Sequence, residues 1–239
     1  MNPATEELFR EDATLVECEA RIVAIDALGI VLDRTVFYPQ GGGQAGDRGE
    51  LVAADGRVLA ITDTRKGDAG GVVHCIATPP EGWAVGQLVT ARIDAGRRQR
   101  HMRFHTATHL LCALVPHAVN GCSITADYAR LDFHMNEPLD KEQLNAGLAR
   151  LVAEAHAVSH RWISEEALDA NPGLVRSMSV QPPRGLGRVR VLEIEGVDLQ
   201  PCGGTHVANS REVGAVVVTK IEKKSAMTRR VVLGFVEPG

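Results

Sequence analysis

Apolar and polar positions alternate with a short period along roughly the first 95 residues. "CEARIVAI" (18–25) and "GIVLDRTVFY" (29–38) are rich in β-branched residues and bounded by Gly or Pro. "GELVAADGRVLAITD" (49–63) is two alternating runs around Asp55-Gly56, a dipeptide that supplies the turn of a hairpin. "GGVVHCIA" and "GQLVTARID" follow at similar spacing. Short strands separated by turns, with no long helix after about residue 12, predict a small N-terminal β-barrel over residues 1–95.

The period changes near residue 95. "RRQRHMRFHTATHLLCALV" (97–115) fits a helix that ends before Pro116. "SITADYARLDFHM" (123–135) reads as strand. "LDKEQLNAGLARLVAEAHAVSH" (139–160) reads as an amphipathic helix with a stripe of Leu144, Leu148, Leu151, Val152 and Ala155, opened by Asp140 and Gln143 in a capping-box arrangement. A short helix is predicted from Ser164 to just before Asn171-Pro172. "GRVRVLEIEGVDLQ", "VGAVVVTKIEK" and "TRRVVLGFVE" complete the chain as strands. Residues 96–239 therefore read as an α+β domain with a largely antiparallel sheet.

Composition narrows the class. With 44% hydrophobic and 23% charged residues, usage is that of a globular protein, and no apolar run is long enough to span a bilayer. The acidic N-terminus "MNPATEELFREDATL" lacks the basic-then-apolar start of a signal peptide, so a cytoplasmic location without membrane contact is expected. Five irregularly spaced cysteines argue against a disulfide framework. The net charge of −4 conceals an asymmetry. Residues 1–95 carry 8 Lys+Arg against 15 Asp+Glu, and the remainder 18 against 15, counted along the chain. The basic residues of the second part cluster at 97–103, 184–190 and 223–230, as solvated faces or as the footprint of a polyanion.

The candidate chemistry lies in two short stretches. His105 and His109 are four apart within the predicted helix, one turn apart on one face. No Glu follows the first, so this is not the zinc-protease motif. "DLQPCGGTHVAN" adds Cys202 and His206, again four apart, with two glycines that permit a tight loop. Thiolate and neutral imidazole are donors that zinc prefers in four-coordinate sites. Two histidines from a helix with Cys and His from a loop make a candidate metal set; a structural zinc, or four unrelated core residues, are the alternatives. Asp198 and Gln200 approach the loop and are candidates for orienting a ligand histidine.

"HTATHLL" followed at a distance by "CGGTH" resembles the editing domain shared by alanyl-tRNA synthetase and the free-standing AlaX proteins, with a cousin in threonyl-tRNA synthetase. "FYPQGGGQAGDRGEL" (37–51), "ARLDF" (129–133) and "KKSAMTRRV" (223–231) look like further segments of that family in the same order. No class II synthetase catalytic region is legible, and the two-domain layout is similar to the medium-length AlaX type. The resemblance implies one Zn2+ per chain held by His105, His109, Cys202 and His206, and hydrolysis of mischarged Ser-tRNA(Ala), with Gly-tRNA(Ala) as a further substrate. A site that engages a serine hydroxyl would spare alanine by a factor of roughly 10⁴–10⁵, because alanine leaves a buried polar partner unpaired. No side-chain base is assigned. Thr108, Ser123, Thr125, Gly203, Gly204 and Thr205 are candidates for holding the amino acid. Gly42 and Gly43, with Lys223, Lys224, Arg229 and Arg230, are candidates for touching tRNA. A non-catalytic RNA-binding module with structural zinc is the alternative. "AVNGCS" lacks the Gln that the synthetase version often carries before this strand, and the oligomeric state stays open.

Overall fold

A computed structural model describes residues 4–178 and 187–236. The chain forms two compact units, 1–99 and 100–239. In chain order the strands and helices are β1 (Glu6–Glu7), β2 (Glu17–Ile25), β3 (Gly29–Leu32), β4 (Arg34–Thr35), β5 (Gly49–Ala53), β6 (Val58–Ile61), β7 (Asp63–Lys66), β8 (Val72–Cys75), β9 (Leu88–Ile93), α1 (Ala95–Leu114), β10 (Val119–Ile124), β11 (Ala129–His134), α2 (Lys141–Ala153), β12 (Val158–Ser164), α3 (Glu165–Asp169), β13 (Arg188–Ile194), β14 (Asp198–Pro201), β15 (Val216–Ser225) and β16 (Thr228–Phe235). The protein is mostly sheet. Among the described residues no helix is long and apolar enough to cross a membrane.

The first unit holds a seven-stranded sheet in the order β6-β5-β9-β2-β3-β8-β7 and a short parallel pair, β1 with β4. β5 and β6 form the hairpin around Asp55-Gly56. The core is Ala20, Ile22, Ile30, Leu32, Leu51, Ile61, Val89 and Ala91, with Val36 and Phe37. The expected closed barrel is not found: among the described residues no ladder joins the two edges. Those edges, β6 and β7, are consecutive pieces of one stretch with Thr62 between them. The sheet must therefore curl for one piece to reach β5 and the other β8. Thr62 bonds sideways to Cys75 through its amide, at 2.9 Å, and so turns from one partner to the other.

The glycine stretch is a tight turn. Gly41 and Gln44 exchange backbone hydrogen bonds of 3.1 and 2.9 Å, and Gly42 and Gly43 have φ of +58° and +87°, a region that favours glycine. Asp47, just beyond, is buried with Arg98 in an ion pair. The Arg98 guanidinium also donates to the Ala13 and Val36 carbonyls, and Asp47 accepts the Tyr38 amide. One member of the basic cluster at 97–103 is thus an internal strut rather than a surface charge.

The second unit contains two antiparallel sheets, β10-β11-β16-β15 and β12-β13-β14. From Phe104 to Cys112, α1 is buried on all sides, the mark of a central helix. The stretch read as one strand at 123–135 is a hairpin, because the Thr125 hydroxyl accepts the Asp127 and Tyr128 amides and turns the chain. Asp140 caps α2 by accepting the Glu142 and Gln143 amides, and Ser164 caps α3 through the Ala167 amide. α2 ends earlier than its apolar stripe suggests. Ala155 takes φ of +59°, and residues from Val158 onward pair with β13 instead. Sheet pairing overrides helix periodicity there.

Candidate metal centre

β13 and β14 form a hairpin that delivers Cys202 immediately after β14. The Cys202 amide bonds back to the Arg190 carbonyl at 3.1 Å, and the loop then brings His206 against α1. One donor atom each of His105, His109, Cys202 and His206 lies within 4.8 Å of the others. The Cys202 Sγ is 3.2 Å from His206 Nε2 and 3.5 Å from His105 Nε2. The three histidines are buried and Cys202 is half-buried.

Neighbouring groups hold the rings. His109 Nδ1 meets Asp198 Oδ2 at 2.8 Å, which leaves Nε2 for the centre. Asp198 in turn accepts both of its contacts from Gln200 Nε2, at 2.9 Å each. His206 Nδ1 meets Thr106 Oγ1 at 3.2 Å, and the same hydroxyl accepts the Val207 amide at 3.3 Å. Residues that engage one ring nitrogen decide the tautomer and present the other nitrogen as a ligand.

The charges around the centre stabilise positive charge, and a metal there would take the place of the proton that His109 otherwise holds on Nε2. Burial acts to lower the pKa of His109, but its bonds to Asp198 and Cys202 outweigh burial and raise it to about 10. Burial acts to raise that of the Cys202 thiol, yet His105 and His206 hold it well below the ordinary thiol value. Burial and then His105 push His206 down to about 3, so its imidazole is neutral. A thiolate, a buried carboxylate behind one imidazole and converging ring nitrogens fit zinc by the chemistry of the donors.

The other sequence candidates divide. The Thr108 hydroxyl donates to the His105 carbonyl at 2.7 Å, a local helix bond. Gly203 is exposed, whereas Gly204 and Thr205 are buried beside the ligands. Thr125 belongs to the hairpin turn. Ser123 shares a sheet face with its partner Arg130, while Cys122 pairs with the buried Leu131. Burial and then the nearby Cys202 push the Cys122 thiol up to about 12. Cys122 therefore shares the face of the buried Leu131 and Ile124, and Ser123 the opposite face. Arg229 is buried and donates to the Asn136 and Ser225 carbonyls, and Arg230 pairs with Asp132 at 2.7 Å. Lys223 and Lys224 are exposed. Gly42 and Gly43 lie in the first unit. Arg184 of the cluster at 184–190 lies outside the described residues.

Arg190 entered the sequence reading only as part of the basic cluster at 184–190, but it is no surface charge. It is buried, and its Nη1 donates to the Cys202 and Gly204 carbonyls at 2.9 and 3.2 Å. The guanidinium pins both sides of Gly203 and holds the loop that carries Cys202. The Gly204 amide lies 3.5 Å from Cys202 Sγ as a donor. Only its place in an apolar strand, where a charge needs a buried partner, signalled the role.

Known proteins bear on the whole chain. Residues 189–232 match the family model described as threonyl and alanyl tRNA synthetase second additional domain, and residues 7–97 match tRNA synthetases class II (A). The second match covers the stretch that holds 37–51, the segment similar to the same family. The chain is 34% identical to an alanyl-tRNA editing protein AlaX-M of Saccharolobus solfataricus, over 95% of this chain and 97% of that protein. It is 32% identical to the AlaX-M protein of Methanosarcina mazei, over 98% and 97%. It is also 32% identical to an alanine–tRNA ligase of Pyrococcus furiosus over 96% of this chain, which spans only 26% of that enzyme. On these near-full-length matches, the chain belongs to the AlaX-M family of alanyl-tRNA editing proteins.

Proposed function

We propose that the protein is an aminoacyl-tRNA deacylase of the cytoplasm that clears mischarged Ser-tRNA(Ala), and Gly-tRNA(Ala) as a further substrate, at one zinc ion. The observation that carries this reading is the convergence of His105, His109, Cys202 and His206, with Asp198 and Thr106 behind two of the rings. Zinc bound there supplies Lewis acidity, either to a water or to the amino acid being removed. The reaction adds water across the ester: the carbonyl–oxygen bond breaks, hydroxide stays with the amino acid, and the terminal ribose hydroxyl leaves with the proton.

The chain's own residues set the frame for that step. Asp198 and Thr106 fix the ring orientations. Arg190 turns the Cys202 and Gly204 carbonyls toward its guanidinium, so they do not compete for the centre. The exposed Gly203 leaves room for the ester to approach. Cys122 shares the buried face of its strand with Leu131. Lys223 and Lys224 are free to meet tRNA phosphates.

A second reading has a specific observation behind it. The set offers four donors, which closes a four-coordinate zinc site and suits a structural role in a non-catalytic RNA-binding module. Catalysis at a closed site needs one ligand to yield, with Cys202 the candidate, or a water placed by loop amides. Purified protein incubated with Ser-, Gly- and Ala-tRNA(Ala), with and without a chelator, separates the readings. Chelator-sensitive loss of Ser- and Gly-tRNA with Ala-tRNA spared is the expected result. Absence of turnover on all three would leave the binding module. Full activity of a demonstrably zinc-free His105→Ala or His206→Ala variant would remove every zinc-based account.

A further inference from the structure

Arg100 and Arg103 lie one turn apart on α1 and meet over a single ring. Their guanidinium carbons sit 5.1 and 3.9 Å from the Phe235 centroid. Phe235, the last residue of β16, is itself stacked on Phe104, with centroids 3.9 Å apart and planes 24° apart. Each arginine is pinned through Nε: Arg100 donates to the Ala126 carbonyl, and Arg103 to the Val213 carbonyl at 2.9 Å. Gly214 lets the backbone pass close to Arg103. It has φ of +69°, and a Cβ there would meet Arg103 Nη2 at 2.8 Å.

This arrangement is costly unless something else binds. Like charges three apart on a helix repel. Long cationic side chains ordinarily splay into water to reduce that repulsion. Here both forks are held on an aromatic platform, where the lower local dielectric strengthens repulsion between them and attraction for an anion alike. Among the described residues no carboxylate lies within 4.0 Å of either guanidinium. With Nε committed, the Nη groups of two planar forks remain, and such forks match the paired oxygens of phosphate.

We propose that Arg100 and Arg103 form a binding site for a phosphodiester of the RNA backbone. The assignment rests on the reading of tRNA as the substrate, and it names two residues that hold it. Phe104 and Phe235 act as the platform, and Gly214 keeps the space into which the Arg103 fork fits. The two arginines position the tRNA and take no part in bond breaking.

The test is binding of fluorescently labelled, uncharged tRNA(Ala) by anisotropy across a salt series, with wild type, Arg100→Gln/Arg103→Gln and Arg100→Lys/Arg103→Lys. The Gln pair should weaken binding about tenfold and make the slope of log K against log salt shallower by roughly 0.7–0.9, the share of one phosphate. The Lys pair should keep the slope and lose part of the affinity, since charge survives and the forks do not. In deacylation the Gln pair should raise KM and leave kcat unchanged. Zinc content and melting temperature serve as folding controls, and Arg103→Gln alone carries the same prediction if the double variant does not fold. Unchanged affinity and slope in the Gln variants, beside a wild type that binds and edits, overturns this inference alone. A wild type that neither binds nor edits tRNA overturns the proposed function with it. Inorganic phosphate as competitor separates the sources of the anion. Saturable phosphate binding that the Gln pair abolishes, with tRNA affinity intact, would overturn the assignment to RNA.

Discussion

Replacing Asp198 tests whether the centre is built around a carboxylate–imidazole pair. Its side chain is fully buried and accepts from His109 Nδ1 at 2.8 Å and from Gln200 Nε2 at 2.9 Å. Asn has the same shape but one acceptor and one donor. If its oxygen faces His109, its amide meets the Gln200 amide, and Gln200 must flip to relieve two opposed donors. If its amide faces His109, Nδ1 must become an acceptor, and the proton moves to Nε2, the atom needed for the metal. Asp198→Ala offers neither arrangement and leaves His109 Nδ1 without its partner. Loss of such a partner typically weakens metal binding about 10- to 100-fold, or about 1.4–2.8 kcal/mol. Asp198→Asn should fall near the lower limit because of the Gln200 flip, and Asp198→Ala near the upper. Zinc affinity is read by competition with a chromophoric chelator at neutral pH, with deacylation followed against free zinc. Both variants should regain most activity at high zinc. Zinc affinity within twofold of wild type in both folded variants would refute the idea that Asp198 orients a ligand.

Other consequences follow from particular contacts. His74 is fully buried between Thr35 Oγ1 and the Ile30 carbonyl, and burial lowers its pKa to about 4. Against an unfolded value of about 6.5, the unfolded chain binds the proton first as pH falls, so stability is complete above about pH 6.5 and declines toward pH 4 by about 3 kcal/mol. Urea titrations should find this decline absent from His74→Gln, and parallel curves for the two proteins would refute it. Arg190→Lys keeps the charge but cannot bridge the two carbonyls as a planar fork. It should weaken zinc binding and alter the thiolate-to-cobalt absorption of the cobalt-loaded protein, and an unchanged spectrum would show that the loop does not depend on it. Gly46→Ala would place a Cβ 2.3 Å from the Thr64 carbonyl oxygen. The strand must shift to accept it, so a loss of at least about 1–3 kcal/mol is expected by chemical unfolding, and a neutral substitution would count against that packing.

What the sequence determined by itself is local. The cap at Asp140 and the helix start at Ser164 were legible because a side chain there satisfies amides two or three residues away. The Asp55-Gly56 hairpin was legible for a similar reason, since one dipeptide supplies the backbone conformation of the turn. The four candidate ligands were legible because two pairs at four-residue spacing carry donor types that zinc selects, and because their surroundings resemble a family. Tertiary structure decided the rest. Whether an arginine is a surface charge or a strut depends on what lies opposite it far along the chain. Asp47 meets Arg98, and the loop after β14 meets Arg190. Asp132 meets Arg230. That Cys122 and not Ser123 shares the buried face turned on the phase of one strand, where a slip of one residue exchanges the buried and solvent faces. The early end of α2 and the open, curled sheet of the first unit were set by pairing with distant strands. Hydrogen bonds to β13, β5 and β8 outweigh local periodicity, and no window along the chain contains both partners.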